Sequence, residues 1–320
     1  MTTEELLSAL ETLPHTARVS RMIELGRRAQ AEAETAALLA EMARGNWYER
    51  YLSLYACFGS ANSAQVLSAL NDPARHISGL ALRLLPLVCN EEQLQQALRA
   101  ASPGLKRPVF WKLFHHGYQS VIDDFVEELT PNDAHFYVFL CFASDAVILR
   151  NAQLFLQQAQ RSEWSHLVRL HPEAAIELLL QWADKVGKEE KQLVTYFNDF
   201  LPRLVLVRPE QCLQLLRTLL SKFRFSELRV QSLATRYPEE IADLILAQEE
   251  HVSLDGGLLL PHLSQEKIQA LCSKQRYFRN AVSRWFPLLS LEQRLFLYTN
   301  HKQFLHSDYD DSIEPPTLEA

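Results

Sequence analysis

Two stretches of this sequence combine the residue types that grip ligands. Pro103 to Gln119 reads PGLKRPVFWKLFHHGYQ, with Lys106, Arg107, Lys112, His115 and His116 interleaved with Phe110, Trp111 and Phe114. Lys274 to Phe286 reads KQRYFRNAVSRWF and carries Arg276, Tyr277, Arg279 and Arg284. Aromatic faces accept stacked bases or side-chain stems, and cations beside them attract phosphate or carboxylate, so both stretches suit an acidic ligand. The plainer account of the first is an ordinary amphipathic helix after Pro108, with Val109, Leu113 and Phe110 turned to the core and solvated Lys and Arg opposite. The binding candidates are the basic and aromatic residues surplus to such a core stripe. They are Lys106, Arg107, Trp111, Lys112 and His115, with Arg276, Tyr277, Arg279 and Arg284 as a second set.

Catalytic chemistry leaves no local signature. The sequence contains no G-x-S-x-G, no H-E-x-x-H and no kinase-like set. His115 and His116 could in principle join His135 or Cys141 at zinc, but adjacent helical positions point about 100° apart and the spacing fits no common site. No metal and no cofactor is assigned. Asp123-Asp124, Glu127-Glu128, Glu189-Glu190 and Glu249-Glu250 fit solvated helix faces. Trp47, Trp111, Trp164, Trp182 and Trp285 lie at helical spacing from leucines, which places most of them in the core.

The elements that must position these residues are helices. Only 9 glycines occur among 320 residues that are 48% hydrophobic, too few for a chain built on hairpins or phosphate-cradling loops. The net charge of −7 opposes a global nucleic-acid footprint and leaves room for a local basic patch. Cysteines at 57, 89, 141, 212 and 272 form no C-x-x-C and read as small buried hydrophobes of a reducing, cytoplasmic compartment. The N-terminus lacks a secretory pattern, and the weakly charged run from Ala134 to Leu149 falls short of the roughly 20 residues of a membrane span.

Along the chain, Trp47 to Phe58 reads as a buried helix, and Phe136 to Phe142 as a short buried helix after a start at Thr130-Pro131-Asn132-Asp133. Leu70 to Gln93 is a turn, a complete amphipathic helix and the start of the next. Asp72 is placed to cap a helix beginning at Pro73, and the stripe Ile77, Leu80, Ala81, Leu84, Leu85 and Val88 closes at Pro86 to Val88. Asn90 with Gln93 then forms a capping box. In the second half Pro172-Glu173, Pro209-Glu210 and Pro238-Glu239 each open an apolar helix, with apolar residues at the same three offsets. These are Ile176, Leu178 and Leu179; Leu213, Leu215 and Leu216; Ala242, Leu244 and Ile245. A second echo links Pro86, Pro261 and Pro287, where one helix ends and a capped one begins. Gly256-Gly257 marks a loop, and His306 to Ala320, acidic and without periodicity, reads as a disordered tail or linker.

LNDPARHISGLALRLLPLV resembles the second-helix region of HEAT and armadillo-type repeats, in which an aspartate and a proline in the turn precede V-R-x-x-A-x-x-x-L. Ile77 fills the hydrophobic slot, Ala81 the alanine slot and Leu84 or Leu85 the leucine slot, whereas Ser78 stands where arginine is usual, which puts a standard Asp-to-Arg ladder in doubt. The resemblance is strong over residues 46 to 102, looser over 161 to 305, and specifies a fold type shared by many functions. It implies an all-α solenoid of roughly 15 to 18 helices in residues 1–305, as one array or as segments 1–160 and 161–305. The function implied is a non-catalytic scaffold that binds another protein through its concave face. Second stands a HEAT-like nucleic-acid-binding protein or an enzyme of the alkylpurine DNA glycosylase type, a family that holds damaged DNA on such a face with Trp, Arg and an acid. That family's catalytic motif does not align here.

Overall fold

The computed structural model describes residues 2–187 and 191–305. Among the described residues there is no strand, and the chain is all-α. The acidic stretch from His306 onward lies outside the described residues, as do Glu189 and Glu190. Twenty-one α-helices form among the described residues, more than the fifteen to eighteen expected. The surplus comes from short pieces of four to seven residues that composition cannot separate from turns. Contacts gather the chain into two compact units, Met1–Arg150 and Asn151–Ala320.

The first unit holds α1 (Thr3–Glu11), α2 (His15–Ala29), α3 (Ala33–Met42), α4 (Trp47–Ser60), α5 (Ser63–Ala69), α6 (Arg75–Val88), α7 (Glu91–Ala100), α8 (Pro103–His115), α9 (Gln119–Glu128), α10 (Phe136–Leu140) and α11 (Asp145–Arg150). Helix α2 packs on α4, α4 on α6 and α6 on α8, while α3, α5, α7 and α9 pack against this row. Leu10, Met22, Leu25, Met42 and Leu52 bury one core. Two glycines decide how close α2 and α4 come. A Cβ on Gly26 would stand 2.0 Å from the Ala56 carbonyl oxygen, and one on Gly59 2.0 Å from that of Ile23, so the two backbones touch where no larger residue fits.

Local capping follows the sequence closely at Asn90, whose side chain accepts from Gln93 N while Gln93 reaches back. Asp72 departs from expectation. Helix α6 begins at Arg75 with Ala74 at its N-cap, and Asp72 instead accepts from the Ala74 N–H at 2.9 Å and from Arg50. The guanidinium from α4 and the Ala74 amide occupy the carboxylate, which fixes residues 71–74 as a turn outside the helix. Pro86 and Pro108 also lie inside α6 and α8 instead of bounding them, since each removes only one bond from a ladder held by packing on both sides. The segment from Phe136 is helical despite its β-like composition, because Phe139 and Phe142 close a ring cluster around Phe110 with Phe125. Its helix starts at Phe136, after a turn in which Thr130 donates to Asp133.

The second unit holds α12 (Ala152–Gln158), α13 (Arg161–Leu170), α14 (Pro172–Lys185), α15 (Lys191–Val207), α16 (Pro209–Leu220), α17 (Gln231–Ala234), α18 (Pro238–Leu246), α19 (Gln265–Lys274), α20 (Arg276–Trp285) and α21 (Leu291–Asn300). The three Pro-Glu repeats are one backbone joint used three times. His171, Arg208 and Tyr237 precede the prolines with φ/ψ of −135/66, −133/67 and −130/60, and each proline is the first residue of its helix. Proline disfavours helical geometry in the residue before it, and at these three joints that residue leaves the helical region, so one helix stops there and the next begins at once. Of the nine apolar residues predicted to share offsets, all but Leu244 are buried. Helices α14 and α16 pack together, as do α13 and α15, around Trp164, Trp182 and Tyr196, whose rings lie 5.5 to 5.8 Å apart. Pro261 and Pro287 sit in 3-10 turns, Leu260–His262 and Phe286–Leu288, unlike Pro86. Gly256-Gly257 forms a 3-10 turn, and a Cβ on Gly256 would meet the Trp285 ring at 2.4 Å.

Candidate functional site

The first predicted set sits on α8, whose core face is Val109, Phe110 and Leu113, all fully buried. Arg107, Trp111 and His115 are spaced by four and share one side of the helix. Trp111 is half-buried, packs its edge on Phe142 at 6.1 Å and holds His115 at 4.3 Å. Lys106 and Lys112 lie on other sides, and the Lys106 ammonium stands 5.6 Å over Phe125. The structure thus brings three of the five together and turns Lys106 towards an internal ring.

The second set is better gathered. On α20, Phe278, Val282 and Trp285 are buried, while Arg276, Arg279 and Arg284 emerge with Asn280 on the opposite side. None of these three arginines makes an ion pair among the described residues. Tyr277 is 37% exposed and packs against Trp285 at 5.9 Å. The two sets belong to different units.

The most unusual surface is one that sequence reasoning assigned to the core. Helix α4 buries Leu52, Leu54, Ala56 and Cys57, but Trp47, Tyr51, Tyr55 and Phe58 recur at steps of four, four and three on another side. Trp47 is 56% and Phe58 44% exposed, and Tyr51 and Tyr55 are half-buried. A helix facing water normally shows charged and polar residues there, whereas this stripe contains no charge at all. High apolar content reads as burial whichever way it points. The separate spacing of rings and leucines was the signal that could have divided the two faces.

Neighbouring helices extend the stripe. His76 from α6 meets Trp47 edge to face at 4.9 Å and Tyr51 at 5.8 Å, and His15 from α2 lies 6.2 Å from Tyr55. Tyr51 and Tyr55 share a hydroxyl hydrogen bond of 2.9 Å, with their rings perpendicular at 5.4 Å. Burial, followed by that bond, pushes the Tyr55 phenol up to about 12, so it stays a neutral hydroxyl. Arg18 donates to the Tyr48 hydroxyl at 2.9 Å. Arg75 and Arg83 of α6 are exposed and make no ion pair among the described residues. On the other side of α4 an open cleft of about 500 Å³ is lined by Ala36, Ala40, Ser53, Cys57, Ser60 and Gln65.

This arrangement presents rings and hydroxyls suited to contact. Cys57, the thiol beside that cleft, is pushed up to about 12 by burial and is no nucleophile at neutral pH. Cys212 and Cys272 are raised likewise to about 12 and Cys89 to about 11, and all five cysteines are buried as the sequence implied. Among the described residues no three His, Cys, Asp or Glu side chains are grouped to hold a metal, and no helix is long and apolar enough to cross a membrane. No protein-family model, curated protein or solved structure matches the chain.

Proposed function

We propose that the chain is a HEAT-like α-solenoid that serves as a non-catalytic scaffold, binding another protein through exposed helix faces. The solenoid reading is supported by the row α2, α4, α6, α8 with helices packed beside it, and by the thrice-used Pro-Glu joint. The observation that carries the binding role is the uncharged aromatic side of α4, with Trp47 at 56% exposure. A free aromatic surface costs solubility, and interfaces are enriched in Trp and Tyr because large rigid rings bury area at little entropic cost. Arg107, Trp111 and His115 on α8, and Arg276, Arg279 and Arg284 on α20, are the next contact residues in this reading.

The test is photo-crosslinking from a benzophenone amino acid placed at Phe58, in lysate of the source cells. One protein should be captured saturably, displaced by excess unlabelled chain, and lost when Trp47→Ala and Tyr51→Ala are added. Tight binding to duplex DNA that falls steeply with salt and disappears with Arg276→Ala and Arg279→Ala would overturn it in favour of a nucleic-acid role.

A further inference from the structure

We infer that the aromatic side of α4, with His76 and Arg83 of α6 and His15 of α2, is a docking site for an extended, proline-bearing peptide with acidic flanks. This rests on the reading of α4 as a partner-binding face and names the chemistry of what binds there.

The hydrogen-bonding groups of the site select the partner's backbone. The Trp47 indole N–H is a donor with no acceptor among the described residues, and of the two hydroxyls of Tyr51 and Tyr55 only one can be used in donating to the other. The surface therefore offers donors set among apolar rings. An amphipathic helix would bring its own rings and leucines, but its carbonyls are spent within the helix. A polyproline-II segment makes no internal hydrogen bonds, so every carbonyl is available, and its pyrrolidine rings are apolar.

Shape and charge agree. From Trp47 to Phe58 the helix advances about 16 Å at 1.5 Å per residue, the length of about five residues of polyproline II at 3.1 Å each. The rings along this line meet edge to face, with interplanar angles of 84° for Trp47 and His76 and 89° for Tyr51 and Tyr55. Such a surface is notched, which receives proline rings between aromatic ones, whereas stacked bases need open, parallel ring faces. The carboxylates on α4 and in the turn before α6 are already engaged, Glu49 by Asn46 and Asp72 by Arg50 and the Ala74 amide. Arg75 and Arg83 are left to set the local sign, which calls for acidic residues at the ends of the segment.

The experiment uses the full chain and three synthetic probes: the fluorescent peptide Glu-Glu-Pro-Pro-Pro-Pro-Pro-Glu-Glu, its lysine-flanked counterpart, and a single-stranded RNA decamer, each titrated by anisotropy. The acidic peptide should bind saturably and at least tenfold more tightly than the lysine peptide. Trp47→Ala and Tyr51→Ala should each weaken it at least tenfold, and Arg83→Glu should remove the preference for acidic flanks. Leu206→Ala, an exposed apolar position on α15, should change nothing. Circular dichroism and thermal midpoints confirm that each variant is folded. No binding of the proline peptide, or binding indifferent to Trp47, overturns the proposal. If the crosslinked partner of Phe58 is captured through a proline-free segment, this proposal fails while the scaffold reading stands. RNA binding lost with Trp47→Ala would overturn both.

Discussion

Arg50 Nε donates to Asp72 Oδ2 at 2.9 Å, tying α4 to the turn before α6, while Nη1 of the same guanidinium donates to the Gly45 carbonyl at 2.9 Å. One arginine therefore spans both ends of the α4–α5 hairpin. The pair is well shielded, with side-chain exposures of 29% for Arg50 and 11% for Asp72. Removing the carboxylate leaves a partly buried cation and the Ala74 N–H without their acceptor. Asp72→Ala should cost about 2 kcal/mol, measured by urea unfolding at neutral pH. An unchanged midpoint would show that the bridge is ornamental.

The same contact predicts a pH dependence. Burial pushes the Asp72 carboxyl up, but the Arg50 and Ala74 hydrogen bonds and the nearby cations together outweigh it and hold the group below its ordinary value. A lowered folded value means that the stabilisation is present above the unfolded pKa of about 3.9 and is lost as pH falls through the folded one. The stability gap between the parent and Asp72→Ala should be constant from pH 8 to 5 and shrink below about pH 4.

Gly26 and Gly79 make a matched pair of opposite sign. Both lie inside helices, but a Cβ on Gly26 would strike the Ala56 carbonyl oxygen at 2.0 Å, whereas one on Gly79 would meet nothing within 4 Å. Gly26→Ala must push α2 from α4 and should destabilise by about 1–3 kcal/mol. Gly79→Ala should stabilise by about 0.5–1 kcal/mol through helix propensity and a less free unfolded chain. Thermal midpoints moving the same way in both variants would refute the close helix contact.

What the sequence shows plainly is what a few neighbouring residues decide. The Pro-Glu joints are legible because proline suits the first helical position and the glutamate after it complements the helix's positive end, and the phase of α8 follows from Val109, Phe110 and Leu113 alone. The Gly26–Ala56 contact is invisible without knowing that α2 lies on α4. Pro86 and Pro108 look like helix boundaries because the packing that carries a helix through them is tertiary. Asp72 looks like a cap until Arg50 arrives from another helix. The α4 face is misread for a related reason: rings and leucines score alike as apolar, and only the neighbours of α4 decide which side is covered.

Gln275 is the least conspicuous of the structural residues, a glutamine only 2% exposed at the joint of α19 and α20. Its amide donates to the Ile245 and Glu250 carbonyls at 3.2 and 3.4 Å, and its oxygen accepts from the buried Val252 amide at 3.1 Å. It serves as a backbone partner for the irregular stretch after α18. Gln275→Leu keeps the size of the side chain but orphans the Val252 N–H, so it should cost about 1–3 kcal/mol. Amide exchange at Val252 should accelerate more than in the core of α19.

The last prediction separates the two kinds of tryptophan in the chain. Trp164 is 1% exposed and packs on Phe155, Trp182 and Tyr196, so Trp164→Ala should cost about 3–5 kcal/mol through lost burial and the cavity left behind. Trp47 is 56% exposed, and its ring contacts are at its edges, with Tyr48 and His76. Trp47→Ala should therefore change stability by about 0.5 kcal/mol or less, as surface substitutions do. It should also raise the concentration at which the protein aggregates, because it removes apolar area from water. A loss of several kcal/mol in Trp47→Ala would mean that the ring is structural, and it would remove the ground for treating α4 as a surface kept open for a partner.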